Sequence, residues 1–334
     1  MPKKPRKHYD IVEYEPWMVE QIARLNVLQY GGTEEEKRGE FARITQEPFA
    51  RDKGVAICAL DGDTLVGVQT YRYWPYLRGG ERYYSLQSGG TLVHPDHRGQ
   101  GLFMRMLSAG NDILAQKGVD FLTGFPVPMS FGGFIKDDWH HVDSPMWFLR
   151  PLRPVKMVVQ RLTRSASEPA GPHQDDDWST VGELKRVGGA KRTNLCTGRD
   201  FLEYRYGNGR SRSYDIRRYD CGEAEAVVVG KRRSSNGFAE YVIGDILSTD
   251  GTLRSAHRAL SQLLDDLRNG GDVAACSILV GTGMKELYPL VARFGFLPTF
   301  RKGLFIAKAV SDRGRDWLCD RWQWNLMHAD IDTW

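Results

Sequence analysis

The order of apolar and polar positions along the chain predicts alternating strands and helices. After a short strand near Tyr9, residues 13–30 set Trp17, Ile22, Leu25 and Leu28 at helical spacing, and Gly31-Gly32 ends the run. Residues 55–60 and 65–68 are apolar runs joined by Asp61-Gly62-Asp63, the pattern of a hairpin. Aromatic positions extend the second strand from Tyr71 to Tyr76, and residues 83–93 read as a central strand. Gly89-Gly90 inside it marks a bulge or a close backbone approach. Leu102, Phe103, Met106, Leu107, Gly110, Ile113 and Leu114 then follow a helical period, which Gly118 closes before a strand over 119–125. A similar order returns in the second half. Strands over 214–219, 224–231 and 238–247 precede a helix carrying Leu253, Leu260, Leu264 and Leu267, then a strand over 274–280, a helix over 284–294 and a strand over 304–310.

The most informative stretch joins the central strand to its helix: Val93-His94-Pro95-Asp96-His97-Arg98-Gly99-Gln100-Gly101-Leu102-Phe103. A glycine turn at a helix start presents free backbone N–H groups at the positive end of the helix dipole. Backbone can approach closely where no Cβ intervenes, so the turn suits a phosphate or pyrophosphate. The lysine and serine or threonine of a Walker loop are absent, and so is the three-glycine spacing of a dinucleotide fingerprint.

These residues resemble the pyrophosphate loop of the GNAT superfamily of N-acetyltransferases, in which a basic residue, two spacers, glycine, one spacer and a small residue follow a strand ending in Val-x-Pro. Arg98, Gly99, Gln100, Gly101 and Leu102 fit, while Phe103 stands where glycine or alanine is usual. Gly124-Phe125-Pro126 and Ser130 match a branch with a Gly-Phe-Pro motif. The resemblance implies an α/β fold with a GNAT-like mixed central sheet flanked by helices, and acetyl-CoA or another acyl-CoA as cofactor. It further implies cofactor contacts from Arg98 to Phe103 and backbone pairing of Leu92 or Val93 with the pantetheine arm. The family's usual acid is a tyrosine, and here the pattern puts Phe134 in its place, with Val127 at a common asparagine, Lys136 on the usual lysine and Asp138-Trp139 replacing Gly-Phe. Phenylalanine cannot donate a proton. Ser130, Asp137, His140 and His141 lie near enough in sequence to substitute, and Gln87, Ser88 and Glu81 could hold a water or act as base on the central strand.

Length and composition narrow the picture further. The 334 residues, 41% hydrophobic, favour two domains and a sizeable core. Residues 1–160 are expected to be a GNAT-like acyl-CoA-binding domain, 161–190 a linker or long loop, 191–312 a second GNAT-like domain without a CoA loop, and 313–334 a Trp/Asp-rich tail. The loop reading rests on residues 165–172 and the run 175–177. A net charge of +4 suits phosphorylated ligands without demanding nucleic acid. Five scattered cysteines form no CxxC pair, so neither disulfides nor zinc are expected, and the thiols point to the cytoplasm. No apolar run approaches membrane-spanning length, and the basic N-terminus reads as a solvated end.

Three further clusters have two readings each. Tyr71, Tyr73, Trp74, Tyr76, Tyr83 and Tyr84 form either a substrate wall or packed core. Trp317, Trp322, Trp324 and Trp334, with Asp320, Asp330 and Asp332, make either an acceptor wall or a strap across the domain seam. Lys231-Arg232-Arg233 reads as a solvated hairpin tip, and Arg205, Arg210, Arg212, Arg217 and Arg218 offer a polyanion surface. The expected function is transfer of an acyl group to a small-molecule amine such as an amino sugar. The alternatives are a catalytically degenerate acyl-CoA-binding scaffold and a tandem transferase of the Fem type that takes its acyl group from charged tRNA.

Overall fold

A computed structural model of the protein describes residues 7–163, 178, 182–189, 191–207, 214–235 and 237–332. The expected linker stretches at 165–172 and 175–177, the N-terminal residues 1–6, Arg210, Arg212 and Trp334 lie outside the described residues. In chain order, the first half carries β1 (Asp10–Glu13), α1 (Val19–Tyr30), α2 (Glu34–Thr45), β2 (Val55–Asp61), β3 (Thr64–Tyr73), β4 (Tyr76–Arg78), β5 (Glu81–Tyr83), β6 (Ser85–Val93), α3 (Leu102–Gln116), β7 (Phe121–Gly124), α4 (Pro128–Lys136) and β8 (His140–Asp143). There follow β9 (Met146–Pro151), α5 (Pro154–Thr163), β10 (Lys185–Arg186), β11 (Asn194–Leu195) and α6 (Arg199–Tyr206). The second half continues through β12 (Asp215–Asp220), β13 (Glu225–Ser235), β14 (Phe238–Ser248), α7 (Leu253–Gly270), β15 (Ala275–Val280), α8 (Leu287–Arg293), β16 (Leu297–Lys302), β17 (Phe305–Ala309) and α9 (Arg315–Leu318).

Two mixed sheets organise these elements. The first runs β1-β2-β3-β6-β7-β17-β8 and the second β12-β13-β14-β15-β9-β16, while β11, β4 and β5 make a small third sheet. The halves exchange strands. β17, from the end of the chain, lies between β7 and β8, and β9, which follows β8 directly, lies between β15 and β16. A strand flanked on both sides by other strands is largely shielded from water, which favours apolar residues at its centre. Phe305, Ile306 and Ala307 in β17 are fully buried, and Trp147 and Phe148 in β9 nearly so. Each half therefore completes its sheet with a strand from the other.

The helices add the apolar faces their periodicity promised. α3 buries Leu102, Met106, Leu107 and Leu114, and α7 buries Ala256, Leu260, Leu263, Leu264 and Leu267. Each buried leucine contributes about 2 kcal/mol by removal from water. All six aromatics from Tyr71 to Tyr84 join the core or pack against it, so this group is core. The run Lys231-Arg232-Arg233 is no solvated tip. Arg232 pairs with Asp215 and Asp272, and Arg233 with Glu240, because β13 reaches residue 235 and keeps these side chains half-buried along the sheet.

The C-terminal segment ties the halves together. Trp324 packs edge-on to Tyr76, Phe121 and Phe305 of the first core, whereas Trp322 is half-exposed. Arg205 donates to the carbonyls of Ala329, Ile331 and Asp332 while stacking on Trp74. Deeper still, Arg186 in β10 meets two carboxylates. Its Nε donates to Asp245 Oδ1 at 2.9 Å, its Nη2 donates to Asp245 Oδ2, and its Nη1 donates to Asp330 Oδ2 at 2.9 Å. All three side chains are buried. Burial would lower the Arg186 pKa, and the two carboxylates more than reverse that, so the guanidinium stays charged. Replacing Arg186 with Met would leave Asp245 and Asp330 buried without their cation. Urea unfolding of Arg186→Met is expected to show a loss of about 3–5 kcal/mol; a loss below about 1 kcal/mol would mean that the triad does not hold the seam.

Candidate functional site: a splayed strand and an open glycine turn

β6 pairs in parallel with β7 only from Ser85 to Ser88, where Ser88 faces Gly124. Beyond that point β6 keeps β3 on one side, through Thr70 to Gly89, Val68 to Leu92 and Gly67 to Val93. Its other edge, along Gly89 to Val93, is released from β7. The divergence begins at a bulge. Between the Thr70–Gly89 and Val68–Leu92 pairs, β6 holds two residues against one on β3, and Gly90 takes φ +58°. Thr70 Oγ1 donates to Gly89 O, and a Cβ built on Gly90 would lie 2.7 Å from that same hydroxyl. Glycine is required here.

The turn that follows leaves its donors unused. Gly99 and Gly101 take φ +77° and +73°, and the space where a Cβ would stand is open at both. The first intrahelical bond of α3 runs from Arg105 N–H to Gly101 O. Among the described residues, the N–H groups of Gly99 to Met104 have no acceptor. Arg98 turns back onto the strand end, its Nε donating to Val93 O at 3.2 Å and its Nη2 to Gln29 Oε1 at 2.7 Å. Leu102 is buried in the core. Phe103 meets Phe134 edge-on at 5.2 Å, and Phe134 meets Trp139 at 5.0 Å. A Cβ on Gly133 would collide with the Phe103 ring, so Gly133 makes room for the large residue at the position where the family carries a small one.

The second half repeats this geometry with the openings filled. β14 leaves its parallel partner β15 after Ile243, and a bulge places Gly244 as the extra residue. There the released edge of β14 is taken by β10, which pairs Arg186 with Leu247 and Lys185 with Ser248. At the start of α7, the Asp250 carboxylate accepts the Thr252 N–H at 3.1 Å and the hydroxyls of Thr252, Ser248 and Ser255 at 2.8 Å each. Burial pushes Asp250 up, yet these hydrogen bonds hold its pKa down at about 2. An internal strand thus takes the released edge, and side chains accept the Gly251, Thr252 and Ser255 N–H groups at the helix start, where the first half offers none among its described residues.

On the side of β6 where Gln87 points, the tail closes over the splay. Gln87 Nε2 donates to Asp330 O at 2.7 Å, and Asp332 N–H donates to Gln87 Oε1 at 2.6 Å. Asp332 pairs with Arg72 at 3.1 Å, and a Cβ on Gly89 would lie 2.9 Å from its Oδ2. Glu40, Arg43, Arg72, Trp74, Tyr204 and Asp332 surround a cavity of about 30 Å³ here, room for about one water. Ser88 accepts from Gln69 Nε2 at 2.9 Å at the apex of the splay. Sequence patterning had no signal for Gln69, Thr70 or Arg72, which are single polar residues on a strand.

The other sequence candidates lie apart from that apex. Ser130 donates to Val127 O in the first turn of α4. His140 and His141 sit on β8, with β17 between them and β7, which puts their strand about 15 Å from β6 by strand spacing. His141 Nε2 lies 3.0 Å from both Asp143 O and Ser144 Oγ. Neither histidine is brought to Ser88. Among the described residues, no group of three His, Cys, Asp or Glu side chains is placed to hold a metal, and no helix is long and apolar enough to cross a membrane.

Comparison with known proteins agrees with this geometry. Residues 13–135 match the acetyltransferase (GNAT) domain, and the chain carries a GNAT domain there. A conserved Enterococcus faecalis protein described as a probable N-acyltransferase shares 14% identity and gives a TM-score of 0.61 over 91% of this chain and 73% of its own. GCN5-related N-acetyltransferases from Anabaena variabilis (8% identity, TM-score 0.60, 91% and 73% covered) and Kribbella flavida (12%, 0.56, 91% and 71%) have the same fold. No curated protein matches the chain in sequence.

The bulge yields a direct test. Gly90→Ala adds a collision with Thr70 to the cost of a left-handed backbone, whereas Gly62→Ala, at φ +61° in open space, adds only the latter. Thermal or urea unfolding is expected to show about 1 kcal/mol lost at Gly62 and about 2–3 kcal/mol at Gly90. Equal losses would mean that the bulge is not locked.

Proposed function

We propose that the chain is a CoA-dependent N-acyltransferase that moves an acyl group, acetyl or another, from acyl-CoA to the amine of a small molecule such as an amino sugar. The observation that carries this reading is the contrast between the halves. The same strand splay and helix N-terminus are filled by the chain itself in the second half and open in the first. The open set suits the cofactor chemically. Six N–H donors at a helix N-terminus match a pyrophosphate, and a released strand edge matches an amide-bearing arm.

Acyl-CoA, when bound, supplies an activated thioester. The residues Gly99 to Met104 would hold its phosphates through backbone N–H groups, and Leu92 and Val93 would offer the edge of β6 to its amide-bearing arm. Such backbone donors can also polarise a carbonyl placed at the splay. The tail side of the splay has room for about one water, which Asp332 and Glu40 can hold as a relay for the proton of the acceptor amine. Ser88 offers a hydroxyl at the apex. Phe134 excludes the family's usual acid, so the rate comes chiefly from positioning the two reactants. His140, His141 and Ser130 have no part in this arrangement. The described arginines offered to a polyanion are engaged within the protein: Arg205 on the tail, Arg217 on Asp215 and Asp266, and Arg218 on Glu225. That disfavours a charged-tRNA donor. We place the protein in the cytoplasm, a compartment that scattered thiols such as Cys58, Cys221 and Cys276 suit.

A second reading, an acyl-CoA-binding protein without catalysis, is favoured by Phe134. Calorimetric titration with CoA tests what both readings share. Micromolar binding is expected, lost by at least about 30-fold in Gly101→Trp with melting within a few degrees of wild type. No binding to the wild-type chain would overturn the proposal. Release of CoA thiol from acetyl-CoA in the presence of a panel of amines then separates the enzyme from the binding protein.

A further inference from the structure

The face of the second sheet turned away from α7 carries a cavity that the acyl-transfer reading does not use. Its volume is about 410 Å³. In the first half, the corresponding face is covered by α1 and α2, whose Ile22, Leu25, Phe41 and Ile44 pack on Ala56, Cys58 and Val68. In the second half the ten-residue α5 packs on β14 on that face, and α6 and the tail cover the strands around Val227, Val229 and Leu247. Part of the sheet is left as the floor of a depression. Trp147, Leu149 and Phe238 form the apolar floor, Met157 of α5 forms one wall, and Arg161 and Arg301 stand exposed at the rim.

Two features mark this as a built site. Ser277 is 2% exposed, and its neighbours Cys276 and Ile278 belong to the core under α7, so Ser277 faces the cavity. Its hydroxyl has no hydrogen-bond partner among the described residues. A buried hydroxyl left unsatisfied is costly and calls for a partner. The charge is also one-sided. Glu240, the carboxylate in the lining, is neutralised by Arg233 Nε at 3.0 Å, while Arg233 Nη2 is buried with no acceptor among the described residues. Arg233 and Arg301 flank the Trp147 ring at 5.6 and 5.3 Å. Two guanidiniums, of Arg161 and Arg301, therefore line a mostly apolar cavity whose one carboxylate is already paired with Arg233. His328, edge-on to Trp147 at 4.7 Å, adds no charge, because burial and then Arg233, Arg205 and Arg301 hold its pKa well below the usual imidazole value.

We infer that this cavity binds a small aromatic or branched aliphatic carboxylate. The apolar body rests on Trp147, Leu149, Phe238 and Met157, and the carboxylate meets the guanidiniums at the rim, where paired N–H donors suit its geometry. Ser277 supplies a hydrogen bond to a polar atom at the inner end. The volume admits roughly a dozen non-hydrogen atoms, judged against the space a water occupies. Inorganic phosphate has no apolar body to place on the floor. The site lies on the other sheet from the open glycine turn, so it stands whether or not the acyl-transfer reading does.

Titration of the full chain with indole-3-propionate, followed by calorimetry, tests the assignment. Saturable binding in the range of about 10–500 µM is expected. Arg301→Glu and Arg161→Glu change exposed side chains, so the fold is kept. Each is expected to weaken the carboxylate at least about tenfold, with melting and CoA binding unchanged. The neutral indole-3-propionamide is expected to bind at least about tenfold more weakly than the acid. Gly101→Trp is expected to leave the affinity unchanged. The proposal is overturned by no saturable binding below about 5 mM, by equal affinity for acid and amide, or by indifference to both arginine substitutions. Loss in Gly101→Trp would put the ligand in the cofactor cleft and overturn it as well.

Discussion

A strand inside a sheet cannot release one edge without something else taking up its backbone groups. β6 does release one, after Ser88, and much of the first half is arranged around that break. The bulge at Gly90 turns the strand away from β7, the Thr70 hydroxyl locks the bulge, and the strand runs into a helix whose first donors are left open. The second half shows the closed form of the same device. There β10 takes the free edge of β14, and Asp250 supplies the anion at the helix start. One architecture thus appears twice in a single chain, once sealed and once open.

The sealed half also holds the open one in shape. β17 completes the first sheet and β9 the second, so neither half has a full sheet without the other. The strand that seals β14 carries Arg186, and that guanidinium reaches Asp330 in the tail. Two residues on, the Asp332 backbone is bound to Gln87 of β6 and its carboxylate pairs with Arg72 of β3. The plugging of one cleft and the shaping of the other are therefore linked through a short buried path. That gives the second half a structural role independent of any chemistry of its own.

Local features of the site were legible in the sequence because they depend on single residue types. Glycine pairs in a strand mean a bulge, and Gly99 and Gly101 before a periodic apolar run mean an open helix start. Phe134 in place of tyrosine was visible for the same reason. The strand exchange was not legible. Residues 146–151 and 305–309 are both short apolar strands, and nothing local in either says which sheet receives it. The Arg186–Asp245–Asp330 triad joins positions far apart in sequence, so no window contains it. The six aromatics from Tyr71 to Tyr84 fitted a substrate wall as well as a core, and packing decided for the core. Lys231-Arg232-Arg233 was read as a solvated tip because β13 runs further than its apolar residues indicate, and its arginines are paired along the sheet. The tail was legible only as an unusual cluster. In the fold, Trp324 straps the seam, and Asp332 reaches the splay at Gln87 and Arg72.

The central claim is that β6 and the turn after it are completed by CoA, and that the second half needs no such completion. Hydrogen–deuterium exchange on the full chain, with and without saturating CoA, tests this most directly. The amides of Leu92, Val93 and Gly99 to Met104 are expected to exchange at least about tenfold more slowly with CoA, while those of Thr252 to Ser255 stay unchanged. Unchanged exchange across residues 92–104, or protection gained at 252–255 instead, would contradict the account.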